Sequence, residues 1–482
     1  MALAFAQHPR YKTLAAEQDT IFAIKETTTI VSSESKVKFV AKVNVGSDSS
    51  ALTEIGVFKT TQNAAQVGIF DFGTILKNYV NPDYTGMADS LTTSQYKGVD
   101  FSNTDYHPIH VVDEFCLGHS STKWFQIDFS IEYLGADDSD PNLVAEDPSI
   151  TPLASDNYYL YNGVVYDTDP LRSDDFNGIY KFGYDISAGG YICNGATLTT
   201  AGALSDAPLI QYARLTDYGT LPYFSGMSQS NYTFDVLQIA DVSVSMYDAS
   251  DSLLGSFTIT ASSSNGGYNG SPATTLSEAN LMYIGCFPAN FDGAGNAVWT
   301  ANKANCSYYT LRPESSATPL GQLYTINIIC DDARGYEGVR LTWLNKHGTW
   351  DYYTFNKKSV RSVSSKRKTY TQLSGTWNES ILKLHGSSGG KKNYRVDSKE
   401  KIKMNTDYVS ELDSVWFEQL MNSPEVFILN GFQSDTGGVV RRYVQPVTLT
   451  TSNYTRKTVA NDRLIQYSFE VERTTNLRTQ SI

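Results

Sequence analysis

Four side chains that can bind a metal ion lie close together, although the whole chain has only six histidines. They occur in the segment HPIHVVDEFCLGH and are His107, His110, Cys116 and His119. Four ligands of this kind are the number that closes a structural zinc site. The spacing matches no zinc motif, however, and an ordinary strand and turn explain the segment as well. We therefore keep these residues as candidate metal ligands but predict no cofactor.

Catalytic motifs are missing from the sequence, which has no phosphate-binding loop, nucleophile elbow or zinc-protease signature. The nearest pattern, Gly118–Ser121 (GHSS), lacks the second glycine that a nucleophile elbow needs. Acidic residues such as Asp137, Asp138 and Asp140 are grouped, but they lie in turn-like sequence where carboxylates accept hydrogen bonds from nearby backbone amides. No pair is spaced as the acid and base of a glycosidase. We therefore predict that the protein is not an enzyme.

A more specific pattern is the aromatic segment Val339–Phe355, VRLTWLNKHGTWDYYTF. It predicts a strand, a turn from Asn to Gly, and a second strand, with the large side chains covering a core or a neighbouring protein. If the glycine has a positive φ, a larger residue there is strained. The residues of this structural motif are Trp343, Asn345, Gly348, Trp350 and Asp351.

The elements that position these residues are predicted to be β-strands. Apolar and polar residues alternate along the chain, most clearly in Lys36–Val45, Phe125–Tyr133 and Leu464–Glu472. The 32 Tyr and 22 Phe suit a half-buried sheet surface. The predicted fold class is therefore all-β, with several β-sandwich or open-barrel domains and one or two short helices.

Turn residues predict two hairpins. Asn162-Gly163, within Tyr158–Asp167, has the residues of a type I′ turn between two strands. The second hairpin joins Val242–Tyr247 to Leu253–Thr260.

Two helices are predicted. The first is Phe72–Tyr79, with Asp71 as its N-cap. The second is Tyr408–Met421 (residues 408–421), which stops before Pro424. Its buried face is expected to hold Val409, Leu412, Val415, Trp416 and Leu420.

Changes in composition predict three domains. Residues 1–135 form an N-terminal β-domain, 136–322 a loop-rich second or inserted β-domain, and 323–482 a C-terminal β-domain. Gly135–Ile150 is acidic and contains prolines, so we expect an exposed linker at the first boundary. The C-terminal domain should carry a polar, basic arm at residues 362–403.

Charge is distributed unevenly. The net charge is −13, but from Ala333 onwards there are 23 Lys and Arg against 14 Asp and Glu, whereas the preceding residues have 15 against 37. Such complementary charges suit packing between copies. Because the arm has too little apolar content for a core, we expect it to order against a partner. Its predicted subunit contacts are Lys391, Lys392 and Arg395.

Other features narrow the class of protein to which the chain can belong. No apolar run approaches the roughly 20 residues of a membrane-spanning helix, and the N-terminus has no secretory signal pattern. Five cysteines at irregular spacings are expected to be buried thiols rather than a disulfide framework. The basic clusters are short, which weighs against nucleic acid as a partner.

The chain resembles virion structural proteins of tailed bacteriophages. The resemblance rests on Trp343–Phe355, where Thr349 replaces the second glycine of their motif. It extends to the N-terminal VKFVAKVNV and GIFDFGTILKNYV. At the C-terminal end, four segments are similar to the closing unit of tail-tip and distal-tail proteins: the helix Tyr408–Met421, SPEVFILNG, QPVTLTTSNYTRK and LIQYSFEVE. The matches cover about half of the chain.

The resemblance implies a structural protein that is made in the host cytoplasm and resides in the virion. Its partners would be copies of itself and other virion proteins, in a homo-oligomeric tail adaptor, baseplate or tail tip. The alternatives are a fibre or receptor-binding protein that recognises a host surface glycan, and a capsid decoration protein. Fibres usually show repeats or a coiled coil, and the sequence shows neither. This favours a tail adaptor, baseplate or tail-tip protein over a fibre.

Overall fold

A computed structural model of the chain describes residues 3–83, 115–117, 120–137, 139–166, 202–225, 239, 241–260, 280–293, 295–315, 318–329, 336–429, 444–458, 464–474 and 478–481. Strands make up 49% of it and helices 10%, which confirms the all-β fold class. Within the described residues, no helix is long and apolar enough to cross a membrane.

Contacts group the chain into two compact units. The first unit contains residues 1–329, 344–351 and 434–438, and the second contains 330–343, 352–433 and 439–482. The expected linker Gly135–Ile150 lies inside the first unit, where Val144–Glu146 pairs with the strand Thr122–Leu134.

The first unit is built from strands β1 to β19 and helices α1 to α4. The strands are β1 Leu3–Gln7, β2 Thr13–Glu17, β3 Ile21–Glu26, β4 Lys38–Gly46, β5 Thr53–Thr60, β6 Val67–Asp71, β7 Phe115–Leu117, β8 Thr122–Leu134, β9 Val144–Glu146, β10 Leu153–Ala154, β11 Tyr158–Val164, β12 Ile210–Ala213, β13 Thr220–Ser225, β14 Asp241–Tyr247, β15 Leu253–Thr260, β16 Asn280–Gly285, β17 Tyr308–Ser315, β18 Thr318–Pro319 and β19 Tyr324–Ile328. The helices are α1 Ile30–Ser33, α2 Gly73–Leu76, α3 Pro288–Gly293 and α4 Ala297–Asn302.

Four sheets organise these strands. Two have three strands, in the orders β1-β3-β6 and β13-β16-β7. A third runs β2-β11-β8-β4-β5, with β9 and β10 also paired to β8. The fourth runs β12-β19-β17-β14-β15, with β18 paired to β17.

Strands β4 and β8 form the centre of the first core. They are antiparallel neighbours, and their alternate side chains, including Phe39, Val43, Ile127 and Phe129, are fully buried. The other side of the pair is polar. There Lys42, Glu146 and neighbouring residues form ion pairs, with 3.0 Å between the Lys42 Nζ and the Glu146 carboxylate. The strands predicted over Lys36–Val45 and Phe125–Tyr133 are confirmed.

The hairpin predicted at Asn162-Gly163 is wrong. Both residues lie inside the continuous strand β11, which pairs in parallel with β2 and antiparallel with β8. The Asn162 amide donates to the Ser121 carbonyl oxygen (2.8 Å), and the Val164 amide to that of Lys346 (2.7 Å). Because extended backbone is hydrogen-bonded on both sides here, long-range pairing overrides the local turn preference.

The second predicted hairpin is confirmed as β14 and β15, which are antiparallel. Its turn contains Asp251 with φ 60, a conformation that Asp tolerates better than most residues. Helices α3 and α4 pack on one face of this sheet. Phe291 of α3 makes an edge contact with Phe257, and Trp299 of α4 makes one with Tyr309.

The second unit contains strands β20 to β27 and helix α5. The strands are β20 Val339–Leu344, β21 Trp350–Phe355, β22 Val360–Gln372, β23 Gly390–Asn405, β24 Val426–Leu429, β25 Val444–Leu449, β26 Ser468–Arg473 and β27 Arg478–Ser481, and α5 is Glu411–Asn422. They form one sheet in the order β21-β20-β24-β25-β26-β23-β22, with β27 on β23. The strand predicted over Leu464–Glu472 is shorter, since β26 begins at Ser468 and Ile465 makes only an isolated bridge to Val409.

The helices differ in number and detail from the prediction. Five short α-helices lie in the described part of the chain, where one or two were expected. Helix α2 begins one residue after Phe72, and the Asp71 carboxylate accepts from the Gly73 amide (3.0 Å). Helix α5 begins at Glu411 rather than Tyr408, and it is the longest of the five.

The predicted buried face of α5 is partly wrong. Trp416 and Leu420 are buried as expected, but Leu412 is 82% exposed and Val415 is 41% exposed. The aromatic Phe417 takes the buried position, packed near Trp343 (6.4 Å between ring centroids) and Phe469 (5.7 Å). Rings bury more apolar area than Leu or Val, so they set the orientation of the helix.

We expect Ser410→Ala to destabilise the second unit by about 1 kcal/mol. The Ser410 hydroxyl accepts from the Asp413 amide (3.2 Å), and the Asp413 carboxylate accepts from the Ser410 amide (2.8 Å). The substitution removes half of this capping box. Chemical denaturation followed by tryptophan fluorescence measures the change, and Ser387→Ala, in an exposed loop, is the control. Equal stabilities of the two variants would contradict the prediction.

Candidate assembly site: an exposed β-hairpin arm

The largest exposed feature of the second unit is the antiparallel hairpin of β22 and β23, which we call the arm (residues 360–405). Its pairing runs from Val360 opposite Lys403 to Gln372 opposite Gly390. Thirteen paired positions give it a length of roughly 44 Å. The arm predicted at residues 362–403 therefore forms, with slightly wider bounds.

Most of the arm is not covered by other parts of the chain that the structure describes. Every residue of β22 except Gln372 is exposed, so neither face of this strand is covered. Strand β23 pairs with β27 at Arg395–Ser398 and with β26 at Lys401–Asn405. Beyond Arg395 towards the tip, the described strands pair only with each other. A two-stranded ribbon is marginally stable by itself, so this outer half gains most from a partner.

The tip of the arm, residues 373–389, is an ordered loop. The Thr376 amide donates to the Lys383 carbonyl oxygen (3.1 Å), and the Lys383 amide donates to the Thr376 hydroxyl (3.0 Å). The indole of Trp377 donates to the Ser374 carbonyl oxygen (2.7 Å). Gly375 and Gly389 have φ of 86 and 97, which only glycine adopts readily. The backbone of the tip therefore has a defined conformation.

Those side chains include an exposed apolar group at the end of the arm. Its members, with the exposed fraction of each, are Leu373 (71%), Trp377 (70%), Ile381 (66%), Leu382 (53%) and Leu384 (75%). Interfaces concentrate their binding energy in such large apolar side chains, and in Trp above all. Composition had suggested an arm with little apolar content, and for the tip that expectation is wrong.

The base of the arm is neutralised by acidic residues of its own unit. Lys399 pairs with Glu472 (2.5 Å), and Lys401 pairs with Glu470 (3.2 Å). Arg361 pairs with Glu337 and, at 3.3 Å, with Glu400. The positive charge is thus compensated where the arm joins the sheet.

The middle and outer parts of the arm are positively charged. Lys366, Arg367, Lys368 and Lys391 form no ion pair within the described residues, although Lys366 lies opposite Asp397, and Lys368 lies directly opposite Arg395. Like charges facing each other across a strand pair destabilise it. An acidic partner surface would relieve this repulsion.

Two of the three predicted contact residues lie in the outer half of the arm, and Arg395 lies at its inner boundary. Lys391 and Lys392 flank the tip, and the ammonium of Lys392 donates to the Ser387 carbonyl oxygen. Arg395 instead binds the Asp397 carboxylate of its own strand (2.9 Å). Arg395 thus already has a partner in its own chain, whereas the two lysines have no ion pair in the described part.

Residues 345–351 of the structural motif form a closed turn in the first unit. The Asn345 side-chain oxygen accepts from the amides of His347 (2.9 Å) and Thr349 (3.1 Å). Gly348 has φ 73, and its amide donates to the Asn345 carbonyl oxygen (3.0 Å). The Thr349 hydroxyl donates to the Leu204 carbonyl oxygen (2.7 Å), which explains how threonine fits here.

The remaining motif residues fix this turn by long-range contacts. The Asn345 amide group donates to the Asp351 carboxylate (3.0 Å). The buried indole of Trp350 donates to the carbonyl oxygen of Asp83 (2.9 Å). The Asp83 carboxylate accepts from the Ser120 amide (2.6 Å) and the Tyr283 hydroxyl (3.1 Å). These hydrogen bonds join the Asn345 turn to Asp83 and Leu204, so the arrangement stabilises the fold.

The candidate metal ligands cannot be placed together. His107, His110 and His119 lie outside the described residues, and so does the side chain of Cys116 in β7. Among the residues that the structure describes, no group of three or more His, Cys, Asp or Glu could hold a metal ion. Of the cysteines, Cys286 and Cys306 are buried thiols, and burial raises the pKa of Cys306 to about 11.

Comparison with known proteins gives no family. No protein-family model matches the chain, and no curated protein does. Among solved structures, the chain is similar to the native conformation of E. coli alpha-2-macroglobulin, with 7% identity and a TM-score of 0.18. That match covers 84% of this chain and 22% of the other.

Proposed function

We propose that the chain is a non-enzymatic structural protein of a bacteriophage virion. It acts as one copy in a homo-oligomeric ring of a tail adaptor, baseplate or tail tip. The resemblance of Trp343–Phe355 and of both chain ends to tailed-phage structural proteins supports the virion assignment. The arm supports assembly, and it is the observation that carries the proposal.

The arm gives three physical reasons for a protein partner. Its outer ribbon is exposed on both faces, its basic residues repel each other, and its tip presents five large apolar side chains. Docking on an acidic surface with an apolar recess would cover the ribbon, neutralise its positive charge and bury the apolar side chains. An apolar tip fits poorly against nucleic acid, whose affinity comes mainly from phosphate contacts.

A second copy of the chain has the charge that the arm requires. The arm has 11 Lys and Arg against three Asp and Glu, whereas the residues before Ala333 have 15 against 37. Opposite charges on different surfaces of one chain favour head-to-tail contacts, and such contacts close into rings when the rotation permits.

Virion membership is tested by mass spectrometry of particles purified from an infected culture. We expect the chain at several copies per particle, retained through high-salt washing and density-gradient sedimentation. Its absence from purified particles, or its removal with soluble host proteins, would contradict the virion assignment. The arm could still bind copies of the chain in that case, so the next experiment is independent of this one.

Reversing two charges at the arm should weaken association between copies. We expect Lys391→Glu with Lys392→Glu to raise the dissociation constant about tenfold, because acidic groups of the partner would then face acidic groups. Analytical ultracentrifugation over a concentration series, at low and high salt, measures this. Association of the wild type should weaken as salt is added, and association of the variant should depend much less on salt.

The matched control is Lys25→Glu with Lys36→Glu, two exposed lysines of the first unit. It changes the net charge by the same amount without touching the arm. Equal weakening by both variants would show a general charge effect and contradict a specific role of the arm. Binding of the wild type to DNA, but not to its own copies, would favour nucleic acid instead.

A further inference from the structure

One face of the sheet β12-β19-β17-β14-β15 combines tyrosines with small polar side chains. Helices α3 and α4 pack on the other face, which is lined by buried apolar residues such as Val244, Leu311 and Ile326. The face away from the helices is half-buried to exposed. Its side chains are Ile210, Tyr212, Ser245, Tyr247, Ser256, Thr258, Tyr308, Thr310, Thr325 and Asn327.

The tyrosines form a row across four strands. Tyr247 is opposite Tyr308, Tyr308 is opposite Asn327, and Asn327 is opposite Tyr212. The rings of Tyr247 and Tyr308 are stacked, with centroids 5.0 Å apart and planes at 12°. Tyr212 is 54% exposed. Aromatic residues thus flank Asn327 on both sides of the row.

This spacing suits one sugar ring. Two strand spacings, roughly 9.6 Å, separate the backbones of β17 and β12 at this row. A ring packed between two aromatic side chains needs about 7 Å, or two van der Waals contacts of about 3.5 Å each. The Asn327 amide lies between them and can both donate to and accept from sugar hydroxyls.

The charges of this face favour a neutral ligand. Among the described residues, the charged groups of this face lie away from the Tyr row. They include Arg312 and Glu314, and the Arg312 guanidinium is 3.9 Å from the Glu314 carboxylate. The turn beside the row is acidic, and the Tyr308 hydroxyl donates to the Asp251 carboxylate (3.0 Å). Carboxylates at the edge accept from hydroxyls but repel phosphate and sulfate.

We infer that this face binds a neutral glycan, with one sugar ring between Tyr308 and Tyr212 above Asn327. The site goes beyond the proposed structural function and does not depend on it. A ring protein with this face would contact carbohydrate while its arm held a neighbouring copy. A protein partner is the competing occupant, because tyrosines are also common at protein interfaces.

The test uses the 482-residue chain on a microarray of neutral and acidic bacterial and plant polysaccharides. Affinity electrophoresis in native gels that contain the best-bound polysaccharide then gives dissociation constants. We expect Tyr212→Ala and Tyr308→Ala each to weaken retention about tenfold, since each removes one stacking ring. Tyr308→Phe keeps the ring and should bind nearly as the wild type does.

Tyr408→Ala is the matched control, because Tyr408 is 60% exposed and lies in the second unit. Tyr212 is so exposed that its variant should melt like the wild type, which keeps the test valid if Tyr308→Ala fails to fold. Three results would overturn the inference. These are no binding to any neutral polysaccharide, retention unchanged in Tyr212→Ala, or capture of only acidic polysaccharides.

Discussion

Gly348→Ala should lower the free energy of unfolding of the first unit by about 3–5 kcal/mol. Gly348 has φ 73, where a side chain costs about 1–2 kcal/mol. In addition, a Cβ at this position would lie 1.7 Å from the Asn162 carbonyl oxygen, which belongs to the backbone of β11. Because neither backbone can yield without breaking hydrogen bonds, the Asn345 turn and β11 would be displaced together.

The matched control is Gly295→Ala in the same unit. Gly295 has φ 67, but a Cβ there would meet nothing within 4 Å. It isolates the backbone strain, and we expect a loss of only about 1–2 kcal/mol. Thermal unfolding of both variants, followed by tryptophan fluorescence and circular dichroism, measures the difference. Equal losses would show that the close approach to Asn162 has no energetic consequence.

Strands with one buried face were predictable because their signal is local. Phe125, Ile127 and Phe129 in β8 alternate with polar residues, and each of them is fully buried. The alternation predicts which face of the strand is buried, and this prediction needs no information about the neighbouring strand. The β14 and β15 hairpin was predictable for the same reason, since a short polar turn joins two alternating runs.

Features that depend on distant residues were not predictable. Asn162-Gly163 has the residues of a turn, but the pairing of β11 with β2 on both sides of it and the hydrogen bonds to Ser121 and Lys346 hold it extended. Asp83 has no local signal, although its carboxylate binds groups 37 and 200 residues away in the sequence. A single sequence does not show which distant segments meet, so these contacts appear only in the structure.

The apolar tip of the arm did have a sequence signal. Leu373, Trp377, Ile381, Leu382 and Leu384 fall within twelve residues. They are dispersed among Ser, Gly, Thr and Lys, so the average composition of the segment is polar. Neither strand nor helix periodicity connects them, because the loop presents them through its own hydrogen bonds. Large apolar residues in an otherwise polar arm are therefore better considered one by one than by composition.

Removing the apolar tip should abolish assembly without changing the stability of the subunit. We expect Trp377→Ala with Leu384→Ser to weaken association between copies by about 30- to 1,000-fold, because the two interface side chains together should contribute about 2–4 kcal/mol. Both side chains are at least 70% exposed in the single chain, so little packing is lost and the melting temperature should stay within about 2 °C of the wild type.

The matched control is Leu412→Ser, which removes an 82% exposed leucine from α5 in the same unit. Sedimentation of the purified chains compares their association directly. Under the proposed virion function, a tagged variant produced in infected cells beside the untagged wild type would compete for places in the particle, and the tagged fraction in purified particles would measure incorporation. The tip variant should be excluded while the Leu412→Ser chain is incorporated like the wild type. Equal incorporation and equal association of the two variants would contradict the role of the tip, even if the charged ribbon still contributes to contacts.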